Sequence, residues 1–161
     1  MMREGRAAPA AGGHWKPGSQ ALVEAARARF TAHGEQWTDL RAQLFEELAK
    51  NGTPVSAYDM AEQLSKRIER RVSPNSVYRI LDLFVENDLA RRIESRNAYV
   101  ANTHPSCSHD CIFLVCEHCG RIDHLDDDSL AEGMRGRARE HGFAPRRPVL
   151  ELLGLCQTCK H

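Results

Sequence analysis

The chain has 161 residues, 42% hydrophobic and 27% charged, a soluble globular composition with length for one ordinary domain or two small ones. Its 22 Lys and Arg balance 22 Asp and Glu, and no apolar run reaches the length that a membrane-spanning helix needs. The first residues, MMREGRAAPAAGGHWKPGS, hold Ala, Gly and Pro but no hydrophobic segment of the kind a secretory signal requires. A disordered leader over 1–18 and a cytoplasmic location are expected.

Four amphipathic helices follow. Residues 19–33 place Leu22, Val23, Ala26 and Phe30 at helical spacing behind Ser19 as N-cap. Thr38 caps DLRAQLFEELAKN, where Leu40, Leu44, Phe45 and Leu48 form the buried stripe and Gly52 ends the helix. Ser56 caps AYDMAEQLSKRI, with Met60, Ala61, Leu64 and Ile68 on one face. Ser73-Pro74, a cap followed by proline at the first helical position, opens NSVYRILDLFVEN, which buries Val77, Leu81, Phe84 and Val85.

The period then changes from helix to strand. Leu89–Glu94 and Ala98–Val100 read as two short strands joined by Ser95-Arg96-Asn97, a hairpin. Helices followed by a two-stranded hairpin are the layout of a winged helix-turn-helix, in which the helix before the hairpin enters the DNA major groove. The run from Lys66 to Arg79 carries five basic residues against one acid, Glu69, which suits a nucleic-acid contact.

The polar segment NTHPSCSHD marks a boundary, so the expected division is a winged-helix domain over 19–101, a hinge over 102–111 and a second domain over 112–161. In that domain Ile112–Cys116 and Arg121–Leu125 read as strands around a turn at Glu117–Gly120. Ser129–His141 reads as a helix stopped by Gly142, and Pro148–Leu155 as a last strand, giving a small α/β domain with a three-stranded sheet. The whole chain is thus of the α+β class. The second half has few large apolar residues, so a metal crosslink would help it hold together.

Cysteine spacing supplies that crosslink. Cys116 and Cys119 form one C-x2-C pair, Cys156 and Cys159 another, with 36 residues between them. Two such turns aim four thiolates at one tetrahedral zinc ion, and a site filled by four protein ligands is structural rather than catalytic. Gly120 and Gly154 would let the backbone close around the metal. Free buried thiols or a redox pair are the other uses of such spacing.

WTDLRAQLFEEL, VSPNSVYRILDLFVENDLARRIES, CEHCGRIDH and GLCQTC together resemble the ferric-uptake-regulator family over about residues 20–160, most closely its zinc uptake regulator subgroup. The resemblance implies a winged helix joined to a dimerisation domain, with base contacts from Tyr78 and Arg79. Asn75 and Ser76, at the start of the same helix, suit base-edge or phosphate contacts, and Arg92 and Arg96 of the hairpin suit the DNA backbone. His104, Cys107, His109 and Cys111 crowd eight residues, and His124 follows. They offer five candidates for the four ligands of a second, regulatory zinc, with His104, Cys107, His109 and His124 the preferred set.

The chain departs from the subgroup's pattern in two places. Arg91 stands where a ligand histidine is common, and Asn102 where a cysteine is common. Ala131 and Pro148 stand near the acid and histidine of a further carboxylate-rich site of some members, which implies fewer metals per protomer. The overall expectation is a zinc-responsive repressor of zinc-acquisition genes, binding a double-stranded operator as a homodimer. It would need one structural and one regulatory zinc, no membrane and no small-molecule substrate. Four thiolates leave no open zinc position for hydrolysis, so no enzymatic activity is expected. An iron, peroxide or nickel sensor of the same family is the neighbouring reading, and a zinc-ribbon interaction module the reading from another class.

Overall fold

The computed structural model describes residues 18–50, 53–104, 110–146 and 149–160. The leader before Gly18, Gly52 as a helix stop, and Cys107, His109 and Pro148 lie outside the described residues. The chain divides into two compact units. One runs to Arg92 and resumes at Asn97, and the other takes Ile93–Arg96 and everything described from residue 110 onward.

The first unit contains helices α1 (Gln20–Ala32), α2 (Asp39–Ala49), α3 (Ala57–Arg67) and α4 (Pro74–Glu86). All four expected caps are made: Ser19, Thr38, Ser56 and Ser73 each accept from the backbone N–H three residues on, satisfying an otherwise orphaned donor. The apolar stripes meet in one core. Leu22, Phe30, Leu44, Phe45, Met60, Leu64, Val77, Leu81 and Phe84 are fully buried, while Leu40 and Val85, expected inside, are half-buried at its edge. Phe84 stands at the centre, its ring 5.6 Å from both Phe30 and Phe45 in edge-to-face contact, and 6.1 Å from Trp37.

Strands β1 (Ala90–Ile93) and β2 (Ala98–Ala101) form the hairpin, shorter at its start than expected. Leu89 still belongs to the helix end: its N–H donates to the Phe84 carbonyl at 2.8 Å, past Asp88 in the left-handed region at φ 64. Glu94–Arg96 is a 3-10 turn, not strand or simple loop. Unforeseen from sequence is Val55, which pairs with Tyr99 through two backbone hydrogen bonds of 2.9 Å and adds a short third rung to the hairpin.

In the second unit β3 (Cys111–Cys116) is the middle strand of a three-stranded sheet in the order β4-β3-β5. It is antiparallel to β4 (Ile122–Asp126) and parallel to β5 (Leu150–Gly154). The parallel pairing needs a crossover, which α5 (Asp128–Glu140) provides. This helix begins earlier than Ser129 because Asp127 is the cap, its carboxylate accepting from the N–H groups of Ser129 and Leu130. Those bonds, led by the Ser129 hydroxyl, hold the Asp127 carboxyl below the usual carboxylate range. Gly142 ends α5 at φ 74, with the paired bonds Gly142 N–H to Arg139 and Phe143 N–H to Ala138 that make a left-handed helix stop. The turn Glu94–Arg96 is held in this unit too. Glu94 and Ser95 donate their N–H groups to the Glu151 carboxylate at 2.7 and 3.1 Å.

Removing the central ring tests this account of the core. Phe84→Ala is expected to cost about 3–5 kcal/mol of stability, read as a lower urea midpoint for the first unit.

Candidate functional site

Both cysteine pairs sit where a strand runs into a tight turn. Cys116 ends β3, and the Gly120 N–H returns to the Cys116 carbonyl at 3.0 Å across the first turn. Gly120 adopts φ 76, which a side chain would resist. Gly154 carries no such constraint: it is a strand residue with open space where a Cβ would stand, so the expected need for glycine falls on Gly120 alone. Cys156 begins the second turn, closed by the Cys159 N–H on the Cys156 carbonyl at 2.9 Å. Because β3 and β5 run parallel with Cys116 opposite Gly154, both turns open at the same end of the sheet.

The result is a cluster. Among the described residues, the sulfurs of Cys116, Cys119, Cys156 and Cys159 all lie within 4.8 Å of one another, and Cys119 and Cys156 are 3.8 Å apart. A tetrahedral zinc with bonds of about 2.3 Å spaces its sulfurs by roughly 3.8 Å. The donor set therefore fits zinc in number, chemistry and spacing.

The electrostatics agree. The Cys116 thiol is pulled down to about 6, first by the Cys119 backbone N–H and then by that of Cys156, which approaches the sulfur at 3.4 Å. Cys156 is lowered as well, by the Cys159 side chain first. Cys159 is pushed up to about 12 by the neighbouring Cys156, because the turns supply donors for the first thiolates and negative charge crowds the last. A divalent cation relieves that crowding and holds all four as thiolates. The Cys116 carbonyl also accepts from the Arg96 guanidinium at 2.6 Å, so Arg96 is committed to this turn.

The residues expected to touch DNA lie at the start of α4. Asn75, Ser76 and Arg79 are exposed. The Ser76 hydroxyl shares a 2.9 Å hydrogen bond with the Ser73 cap. Tyr78 is half-buried, its ring edge-on between Tyr58 at 6.1 Å and Tyr99 at 6.4 Å. The helix N-terminus adds a positive dipole suited to phosphate. Arg92 of the hairpin donates to the Asn97 side chain at 3.0 Å and lies over the Tyr99 ring.

Of the residues expected at the second metal, three are described, and they are divided between the units. His104 is buried in the first unit, whereas half-buried Cys111 and His124 belong to the second, where His124 pairs with Phe113 across β3 and β4. Arg91 and Asn102, where the resemblance raised the expectation of ligands, are engaged in other contacts. Arg91 pairs with Asp88 at 2.7 Å. Asn102 is 3% exposed, donates its amide to the carbonyls of Asp88 and His104, and accepts from the His104 N–H at 3.0 Å. It shapes the backbone at His104, a role without a periodic signature in the sequence.

Comparison with known proteins places these features in context. The profile described as "Ferric uptake regulator family" matches residues 32–153. The zinc uptake regulation protein of Escherichia coli (strain K12) is 28% identical over 145 residues, covering 89% of this chain and 84% of that protein. A solved zinc uptake regulator complexed with zinc and DNA superposes with a TM-score of 0.80 at 26% identity, covering 86% of this chain and 93% of that one. The holo crystal structure of XcZur gives 0.74 at 33% identity, covering 87% and 97%.

The cluster predicts that Cys119→Ser loses the tightly held zinc equivalent and lowers the melting temperature of the second unit. Metal content by mass spectrometry, with a thermal scan, checks both. Full zinc retention in that variant would show that Cys119 is not a ligand.

Proposed function

The chain belongs to the ferric uptake regulator family, and from that membership we propose that it is a zinc-responsive repressor of zinc-acquisition genes. Family members are metal-responsive DNA-binding transcription regulators. The finer reading is supported by the likeness to zinc uptake regulators along nearly the whole chain, joined to a four-sulfur cluster spaced for zinc.

In this reading α4 enters the major groove. Arg79, exposed and carried on a helix fixed by the Phe84 core, donates in bidentate fashion to guanine O6 and N7. Tyr78, Asn75 and Ser76 contribute the neighbouring base and phosphate contacts. The protein acts as a homodimer. Leu130, Met134, Phe143, Leu152, Leu153 and Leu155 of the second unit are each more than half exposed, an apolar surface of the kind that a partner subunit covers.

Cys116, Cys119, Cys156 and Cys159 hold the structural zinc. A second, regulatory zinc is held by four of His104, Cys107, His109, Cys111 and His124. Thiolate together with imidazole suits zinc better than iron or manganese, which favour carboxylate and imidazole. Bound there, zinc serves as co-repressor: the liganded population is the one that occupies the operator, and loss of zinc releases it. No described helix is long and apolar enough to cross a membrane, consistent with action on cytoplasmic DNA.

The deciding experiment selects duplexes from a random pool with zinc-loaded protein. Binding to the selected duplex is then titrated against free zinc, iron(II) and manganese(II) at stated salt, with zinc per protomer counted alongside. Tight binding with two zinc equivalents, lost when a chelator removes the labile one, is expected. A response to iron with indifference to zinc would overturn the zinc assignment. Arg79→Ala is expected to lose about 1–3 kcal/mol of discrimination at one base pair, with zinc content unchanged.

A further inference from the structure

The proposed reading helix carries an acid beside its reading arginine. Asp82 follows Arg79 by three residues, and side chains at that spacing are neighbours on a helix surface. Left to themselves, an exposed aspartate and arginine so placed attract each other, and the pair withdraws both charges from other partners. Yet among the described residues the exposed Arg79 side chain makes no ion pair or hydrogen bond. Asp82 is turned elsewhere: its carboxylate accepts a 3.1 Å hydrogen bond from the Tyr99 hydroxyl.

Tyr99 is well placed to hold it. Its side chain is completely buried on β2, and its backbone is locked by the two hydrogen bonds to Val55. Tyr78 braces one side of the ring, and the Arg92 guanidinium lies 5.9 Å from its centre. A buried phenol requires an acceptor, and Asp82 supplies it. Burial first, and the Asp82 charge second, push the Tyr99 phenol up to about 12, so it stays a donor throughout the physiological range.

We infer that Tyr99 is a positioning residue for DNA reading: by engaging the Asp82 carboxylate it keeps the Arg79 guanidinium available to a base and the acid's charge away from phosphate. The inference rests on the reading of α4 as the DNA-recognition helix. It reaches a residue in a different element, 17 positions away, that does not itself face the nucleic acid.

The test uses zinc-loaded full-length protein and the duplex selected from a random pool. Tyr99→Phe removes one oxygen and keeps the ring, so the fold is retained, as circular dichroism melting would verify. It is expected to bind roughly three- to ten-fold more weakly, since a charge-assisted hydrogen bond is lost and an acid is released beside the reading arginine. Adding Asp82→Asn to Tyr99→Phe removes the released charge and is expected to restore affinity to within about two-fold of the parent. Asp82→Asn alone, a surface change that preserves an acceptor for the phenol, is expected to bind at least as tightly as the parent.

A double variant as weak as Tyr99→Phe would make the phenol merely structural and overturn the inference, as would parental binding by Tyr99→Phe. Weaker binding by Asp82→Asn alone would overturn it too, because the acid would then be helping rather than competing. If Arg79→Ala bound the duplex as well as the parent, the assignment of α4 to DNA reading would fall and this inference with it. Loss by Arg79→Ala beside parental binding by Tyr99→Phe would sink the inference alone.

Discussion

Four sulfurs within 4.8 Å cannot all carry negative charge unless a cation lies among them. That constraint organises the second unit. Among the described residues its buried apolar side chains are few, Ile93, Ile112, Val115 and Ala131 together with Cys116. The turns at Cys116 and Cys156 follow β3 and β5, so a shared ion would tie together the two strands whose parallel register otherwise rests on backbone bonds and a thin core. The same turn reaches further. The Cys116 carbonyl receives Arg96, and Glu151 receives the N–H groups of Glu94 and Ser95, which holds the hairpin turn in this unit.

The first unit depends on packing instead of charge. Phe30, Trp37, Phe45 and Phe84 meet edge to face, so α4 is held by a core that leaves little freedom in its axis or rotation. That rigidity suits the proposed base reading, in which a bidentate arginine must meet two acceptors at once. The exposed edge of α4 is then refined by polar contacts. Ser73 engages Ser76, and Tyr99 engages Asp82, each limiting what a surface side chain can do in the absence of nucleic acid.

Two positions of the first unit are committed to polar contacts. Arg91 and Asn102 stand at positions where the family resemblance raised the expectation of ligands, and neither is idle. Arg91 pairs with Asp88, and Asn102 bonds the Asp88 carbonyl and both backbone groups of His104. Asp88 is thus the common partner at the end of α4, where its left-handed backbone brings carbonyl and carboxylate out together. Any second zinc must therefore draw on other side chains.

Much of this was legible before any coordinates. The four helices were readable because a 3.6-residue period and a capping hydroxyl are local signals, and Ser19, Thr38, Ser56 and Ser73 each sit one position before the helix that they cap. The cysteine pairs were readable because two intervening residues is a fixed turn geometry, whatever surrounds it. The start of α5 falls at Asp128, one residue before the Ser129 expected from the sequence, because two adjacent acids precede the serine and only the strand end shows that Asp127 is the cap. The rung from Val55 to Tyr99, the parallel pairing of β3 with β5, the clamp at Asn102 and the bond from Tyr99 to Asp82 left no trace in composition or spacing. Sequence alone determined the helices, the paired cysteines and the arginine on α4, since each follows from residues near one another along the chain. Tertiary structure decided which of those groups are neutralised, braced or left available, because that depends on partners that only folding brings within hydrogen-bond reach.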